Sequence, residues 1–579
     1  MTTTAREHQQ KQIQQAEELL FSGAPSKAGF AKELYFGRFV ADAVIPYPRP
    51  TAIEQAAGDA FVAEVRRFLD EHLDAAAIDR NADIPPSVIQ GLGRIGVLGA
   101  TVPTNFGGRG LSWQNNCRVM EAIGGHCGST AVFVNAHHSI GLRALEMFGT
   151  DQQQQRWMRP LAMGEQIAAF ALTEPEAGSD ASNVRTTATP TSDGRGFILN
   201  GEKRYITNGA IAQVLTVMAR TPDPSDPDGK VTAFLVTPDT PGFQVVEARM
   251  EKVGIRGTAT ARLAFRDMLV PRENVLGQLG KGLKIALTVL DFGRTTFGAS
   301  CTGAAKYCVR RAVEHANSRK QFGKTLGEFE LVRQKIAHAA AHTFAMESAT
   351  YHTAALIDSG AEDYMLETAM LKVFASDRLW DIVNDTLQIH GGAGFFTDQP
   401  FERMLRDARL NMIGEGANDV LRSFIAMVGL RGVGQQLLDV RKKPWTASQL
   451  LRVFAPAVPA NHPVLAGAAT DLARQIIRFA RAGRNSLIRH RESILDRQFV
   501  QARLADTATE LFVGSCVYSR LTGLAGGLGS NADTDRDFET GLLYLRLAHR
   551  RNSRRLSELG SNDDPAVNGI ADRWLSHHD

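Results

Sequence analysis

The sequence predicts a mainly helical protein with an inserted β domain. Apolar residues recur at intervals of three and four on both sides of a central stretch, and between about 169 and 285 the pattern changes to short β-prone runs. A basic, proline-punctuated segment from Leu437 to Pro463 then separates a last block of helical pattern. Five segments follow: an N-terminal extension over 1–50, a helical domain over 51–168, a β domain over 169–285, a helical bundle over 286–435 and a C-terminal helical domain over 436–579.

A chain of 579 residues corresponds to about four domains of ordinary size, enough to bury a site between large cores. Hydrophobic residues at 44% and charged residues at 22% are ordinary for a soluble globular protein, and a net charge of +3 argues against a dedicated nucleic-acid surface. The five cysteines (Cys117, Cys127, Cys301, Cys308, Cys516) are odd in number and scattered, without a Cys-x-x-Cys pair. Neither a disulfide framework nor a thiolate zinc site is implied, and a reducing compartment fits. Residues 1–20 are rich in Gln and Glu, with no apolar core of signal-peptide length and too much acid for a transit peptide, so a cytoplasmic location is expected. No apolar run is long enough to cross a bilayer.

In chain order, the polar start gives way at Pro46-Tyr47-Pro48-Arg49-Pro50 to a helical face of Phe61, Val65, Phe68 and Leu69. Pro85-Pro86 opens a helix carrying Val88, Ile89, Leu92 and Ile95. Gly91, Gly93 and Gly96 match a dinucleotide fingerprint by letter, but they follow a helix instead of a strand and read as a helix ending. His137 and His138 are adjacent on a helix and point about 100° apart, which suits packing better than metal binding. In the β domain, Asn200-Gly201 between two β-prone runs predicts a tight hairpin within Phe197–Thr207. Val214–Ala219, Val231–Val236 and Arg262–Phe265 read as further strands. Long helical patterns return at 290–316, 331–359 and 362–390. His338 and His342 lie four apart but lack the glutamate of a zincin, so they read as an ordinary helix face and no metal is expected. The basic, partly amphipathic stretch Arg441–Phe454 reads as a surface helix, with weak peripheral membrane contact through the C-terminal domain as its alternative.

The stretch Arg406–Arg422 contains the strongest candidate for chemistry. Glu415 stands between Gly414 and Gly416, after the apolar pair Met412 and Ile413. Backbone can pack close there and water can be excluded, which raises a glutamate toward the range a general base uses. A helix-start glutamate between flexible glycines is the plain alternative.

Two motifs and the domain order decide between them. Ala171-Leu-Thr173-Glu-Pro175-Glu-Ala-Gly178-Ser179-Asp180 resembles the first signature of the acyl-CoA dehydrogenase family, departing at its edge with Asn183. Gln388-Ile-His-Gly391-Gly392-Ala-Gly394-Phe395, continuing through Asp398 and Arg403 to Asp407, resembles its second signature throughout. The resemblance covers about 30–435, and the added C-terminal domain is most like the very-long-chain branch. It implies an N-terminal helical bundle, a middle β-barrel domain and a four-helix bundle, followed by the extra helical domain.

The resemblance implies an FAD cofactor, an acyl-CoA substrate, a homodimer and an electron-transfer flavoprotein as acceptor. Phe170, Leu172, Thr173, Gly178 and Ser179 would hold the flavin and its pyrophosphate, with Tyr205 and Thr207 at the ring; the family usually has Trp at the position of Tyr205. Arg319, Gln321, Phe322 and Leu326, with Gln388, Gly391 and Gly392, would reach the FAD of a neighbouring subunit. Ala417 and Asp419 would add cofactor contacts. Asp291, Arg294, Gly416 and Ser179 would touch the substrate.

Glu415 would be the base that takes the α proton of the thioester while a hydride leaves the β carbon, and its own N–H would help hold the thioester oxygen. In one branch of the family the base sits on the helix before Arg294, where this chain has Gly293. Relatives carry an aromatic before the base and threonine after the following glycine; this chain has Gly414 and Ala417. The missing ring suggests a substrate that is bulky near the thioester, against a repacked long-chain pocket. An acyl-CoA oxidase and a non-catalytic assembly scaffold are the alternative functions.

Overall fold

The computed structural model describes residues 28–442 and 456–576, so Lys443 and most of the Arg441–Phe454 stretch lie outside the described residues. The chain divides into two compact units. Among the described residues the first comprises Pro50–Arg333 and Ala375–Gly416, and the second takes in 28–49, Gln334–Phe374 and the chain from Ala417 onward.

In the first unit, helices form where capping and apolar spacing agree. The Ala52–His72 helix starts at a capping box in which Thr51 and Glu54 satisfy each other's backbone N–H, and it buries Phe61, Val65 and Leu69 at intervals of four. Pro86 occupies the first position of the Pro86–Arg94 helix, and Gly96, at φ +85°, follows its end, so Gly91-x-Gly-x-x-Gly96 is a helix terminus as expected. Trp113–His126 and Gly128–Val134 lead into a π-helical stretch, Asn135–Leu142.

The eight main strands are β1 (Ala168–Ala171), β2 (Thr187–Pro190), β3 (Gly196–Ile206), β4 (Val214–Asp223), β5 (Asp226–Val236), β6 (Phe243–Glu247), β7 (Ala261–Pro271) and β8 (Val275–Leu276). They form one sheet in the order β6-β7-β3-β2-β4-β5-β8, with β1 pairing parallel to β4. The expected hairpin at Asn200-Gly201 does not form: both residues lie inside β3, at a register shift against β7 between Leu199 and Gly201. Asn200 exchanges two hydrogen bonds with Asp267 on β7 (2.9 and 3.0 Å), and a Cβ on Gly201 would stand 2.5 Å from Thr186 Oγ1. The extra residue lies on β7, where Arg266 and Asp267 (φ +46°) face the single residue Asn200, and β3 runs on through Asn-Gly because partners lie on both sides of it.

The Gly282–Ser318 helix follows the sheet, and Phe401–Asn411 closes the unit. The Glu330–Asp358 and Met365–His390 helices each contribute to both units. The second unit also holds the helices Asn418–Lys442, Ala466–His490, Gln498–Ala525, Ala532–Ser557 and Asp564–Leu575. The buried Glu510 ties its interior together, accepting from Tyr544 (2.8 Å) and Arg551 (2.7 Å). Among the described residues no helix is long and apolar enough to cross a membrane.

Candidate active site

Glu415 occupies the turn between the Phe401–Asn411 and Asn418–Lys442 helices. Its backbone is left-handed, with φ +59°, and Gly416 follows at +96°. For a residue with a Cβ this conformation costs about 1–2 kcal/mol and needs surrounding contacts to hold it. Arg294, itself buried, donates from Nε to the Glu415 carbonyl (3.3 Å), and Asp291 one turn earlier accepts from Arg294 Nη1 (3.3 Å). The predicted substrate pair Asp291 and Arg294 thus also fixes the peptide that carries the carboxylate.

The half-buried Glu415 side chain faces two elements. Asn135, on the π-helical stretch, donates from Nδ2 to Glu415 Oε1 (3.4 Å). On the Gly282–Ser318 helix, a Cβ on Gly293 would lie 3.2 Å from Glu415 Oε2. Thr296, one turn beyond Gly293, bonds to Asn135 Oδ1 and lies 3.1 Å from Ser139 Oγ, so a chain of polar groups backs the carboxylate. Gly414 is not needed for the turn's handedness, and the atoms nearest to a Cβ there belong to Leu410, at 3.7–3.8 Å.

A second cluster surrounds the end of β1. Phe170 and Leu172 are half-buried against the apolar cluster that includes Leu142, Trp157 and Val289. The Thr173 carbonyl accepts the Arg204 N–H of β3 (2.9 Å). Gly178 has open space where a Cβ would stand, and Ser179 is exposed. Tyr205 is held outward by a φ of +63° and is 56% exposed, with the Arg204 guanidinium 4.9 Å from its ring centre; Thr207 follows. Asn208 then anchors the strand end to the Phe133 carbonyl (3.1 Å). An exposed aromatic, an apolar strand end, hydroxyls and an unobstructed glycine loop are a donor and surface set that fits FAD.

Sequence reasoning missed the clamp beneath this cluster. Lys203 is fully buried; its Nζ donates to Glu174 Oε1 (2.7 Å) and to the Leu172 carbonyl (3.0 Å). Glu174 also accepts the N–H groups of Arg185 and Thr186. Burial opposes its charge, but Lys203 and these donors hold Glu174 below the usual carboxylate range. Burial likewise lowers Lys203 to about 8. Period-2 alternation through Phe197 and Leu199 puts Lys203 on the inner face, and a lysine there is the signal that could have found it. Asn135 and Thr296 carried no such signal.

A third cluster gathers the two segments assigned to a neighbour's cofactor. Arg319–Leu326 is a small hairpin, with β9 (Lys320–Gln321) and β10 (Lys324–Thr325) joined through Phe322 and Gly323, both left-handed. His315, one turn before Arg319, stacks at 4.3 Å on His390, which lies between Gln388 and Gly391. Arg319, Gln321 and Gln388 are exposed, Leu326 is half-buried, and Cβ atoms on Gly391 and Gly392 would meet nothing within 4 Å. Phe322 is 93% exposed and Phe395 73%. Ala417 and Asp419 belong to the second unit.

His137 and His138 are packed residues. His137 accepts the Ala168 N–H at Nδ1 (2.9 Å) and donates from Nε2 to Leu161 (3.1 Å), while His138 Nε2 accepts the Thr101 N–H (3.2 Å). Burial pushes them down to about 4 and about 3. Among the described residues no group of His, Cys, Asp and Glu could hold a metal.

Comparison with known proteins matches four family descriptions in chain order: "Acyl-CoA dehydrogenase, N-terminal domain" over 56–165, "middle domain" over 169–268, "C-terminal domain" over 280–430, and "ACAD9/ACADV, C-terminal domain" over 463–577. The human mitochondrial very long-chain specific acyl-CoA dehydrogenase is 35% identical over 521 residues, covering 86% of this chain and 79% of that protein. A probable acyl-CoA dehydrogenase of Mycobacterium tuberculosis is 32% identical over 569 residues, covering 93% and 87%. An acyl-CoA dehydrogenase from Bacillus anthracis complexed with FAD superposes with a TM-score of 0.80 at 26% identity, covering 96% of each chain. Butyryl-CoA dehydrogenase from Megasphaera elsdenii gives 0.62 at 32% identity, covering 66% of this chain and 99% of that one.

Proposed function

The chain belongs to the acyl-CoA dehydrogenase family, and on that premise we propose that it oxidises an acyl-CoA thioester to the trans-2-enoyl-CoA and passes the electrons to an electron-transfer flavoprotein. The family's members are FAD flavoproteins, and bound FAD supplies the hydride acceptor. The observation that carries the proposal is the Glu415 carboxylate facing Gly293, a surface with no side chain.

Glu415 would take the α proton of the bound thioester, and FAD, held by this chain, would supply the hydride acceptor. Asn135 holds Oε1, which orients the carboxylate toward the substrate. The Glu415 N–H donates to the thioester oxygen as negative charge develops there, and Arg294 keeps that peptide in its left-handed turn by gripping the carbonyl. Phe170, Leu172, Thr173, Gly178, Ser179, Tyr205 and Thr207 would hold the cofactor on the same unit, with Lys203 tying β3 to the loop after β1 through Leu172 and Glu174. Arg319, Gln321, Phe322, Leu326, Gln388, Gly391 and Gly392 would serve the FAD of a second copy. The exposed Phe322 and Phe395 support a homodimer that covers them.

The test is to mix the purified yellow protein with a panel of acyl-CoAs under anaerobic conditions. Bleaching of the flavin, followed by reoxidation with electron-transfer flavoprotein, is expected. No bleaching with any acyl-CoA rejects the enzyme reading, and oxygen consumption without an added acceptor assigns an oxidase.

A further inference from the structure

One face of the Gly282–Ser318 helix leads away from the base. Gly293, Phe297, Ser300, Cys301, Ala304 and Tyr307 follow one another at intervals of three, four and one, so they form a continuous stripe. At 1.5 Å per residue it extends about 21 Å from Gly293 to Tyr307. Phe297, Cys301 and Ala304, with Leu379, Val383 and Met404, line a mainly apolar cavity of about 50 Å³. Next to it is a polar groove of about 900 Å³ that includes Tyr307 and Arg310. Gly124, Gly128, Met404 and Asp407 line both, so the apolar cavity meets the groove instead of ending at an apolar wall.

The groove's groups are unequally engaged. Lys306 is held by Glu121 (2.7 Å), and the His126 ring is bonded to the Leu73 carbonyl (3.1 Å). Among the described residues the Tyr307 hydroxyl makes no hydrogen bond, and Arg310 reaches only Glu314, at 3.9 Å, with its guanidinium 5.4 Å from the Tyr307 ring centre. A methyl-ended chain long enough to pass Ala304 would leave apolar surface in this polar groove, whereas an oxygen at the chain end would meet a phenol and a guanidinium.

The geometry points to a distal subsite at Tyr307 and Arg310 that receives the oxygenated end of a long acyl chain, a hydroxyl or carboxylate at the terminus remote from the thioester. The inference rests on the dehydrogenase reading and names its substrate class. Oxidation at the α and β carbons proceeds beside Glu415, and the distal oxygen takes no part in it.

The experiment measures kcat/KM for three acyl-CoAs of equal long chain length, ending in methyl, hydroxyl or carboxylate, with wild type and with Tyr307→Phe combined with Arg310→Met. At least one oxygenated chain should exceed the methyl chain tenfold in wild type, and the double variant should bring that ratio to within twofold of one. A wild type that shows no such preference overturns the subsite, as does a preference that survives the double variant. Turnover of the methyl chain alone leaves the dehydrogenase reading standing, whereas no bleaching in any arm overturns both. Flavin content is read alongside, and Tyr307→Phe alone replaces the double variant if that loses its flavin.

Discussion

Glu415 Oε2 and Gly293 face each other so closely that a single methyl group on the glycine would stand 3.2 Å from the carboxylate and 3.0 Å from the Ile140 side chain. Gly293→Ala therefore forces Ile140 and the carboxylate to shift by a few tenths of an ångström. A base misplaced by up to an ångström loses up to about 10²-fold in rate. The expected outcome is a kcat lowered by about tenfold or more with flavin content unchanged, measured by anaerobic stopped-flow bleaching. An unaltered bleaching rate would show that the space over Gly293 is not used.

Glu415→Gln keeps the shape of the side chain and removes its basicity. The variant should still bind acyl-CoA, seen as a perturbed flavin spectrum, while bleaching falls by at least about 10²- to 10⁴-fold. Near-normal turnover would move the base to another residue.

Arg319→Ala tests the neighbour's contribution to the cofactor. Arg319 is exposed on the hairpin after the Gly282–Ser318 helix; if it serves the pyrophosphate of a neighbouring copy's FAD, the variant should keep its fold and lose flavin more readily. Stoichiometric FAD after extensive dialysis would exclude that role.

The two buried histidines predict an acid-sensitive first unit. His137 and His138 are held neutral in the fold, at about 4 and about 3, whereas an unfolded histidine titrates near 6.5. The unfolded chain therefore binds more protons once the pH falls below that value. Their stability contribution is full above pH 6.5 and is lost as pH falls toward 4, by up to about 1.4 kcal/mol per pH unit for each ring. Thermal midpoints measured from pH 7 to 4.5 should fall less steeply in His137→Gln and His138→Gln than in wild type. Identical slopes in all three proteins would contradict the assignment.

Gly414 offers a test of selectivity near the thioester. The atoms nearest to its Cβ position belong to Leu410, at the ordinary contact distance of 3.7–3.8 Å, so a side chain can start there without displacing backbone. If the opening accommodates a branched or cyclic acyl group, Gly414→Phe should selectively abolish turnover of α-branched and cyclic acyl-CoAs relative to straight chains. Equal losses, or a wild type that never accepts the bulky substrates, would reject that use of the space.

Local sequence was sufficient for the helices and for the placing of Glu415, because capping boxes, intervals of three and four and a glycine-flanked carboxylate are short-range patterns. It also identified the family, since the two signatures are contiguous runs of residues. It did not show that Asn200-Gly201 continues a strand. A turn dipeptide stays extended only when other strands supply partners, and those partners, Asp267 on β7 and Thr187 on β2, come from elsewhere in the chain. Asn135 meets Glu415 across 280 residues, and no periodicity encodes such a meeting. Lys203 carried a local warning, a charge on an inward strand position, but its meaning depended on Glu174 arriving to neutralise it. By itself the sequence determined most of the helices and marked Glu415 as the candidate base, because backbone propensity and side-chain type act within a few residues. Only the tertiary structure decided what faces that carboxylate and what ties β3 to the loop after β1, because burial, desolvation and close approach depend on residues that packing brings together.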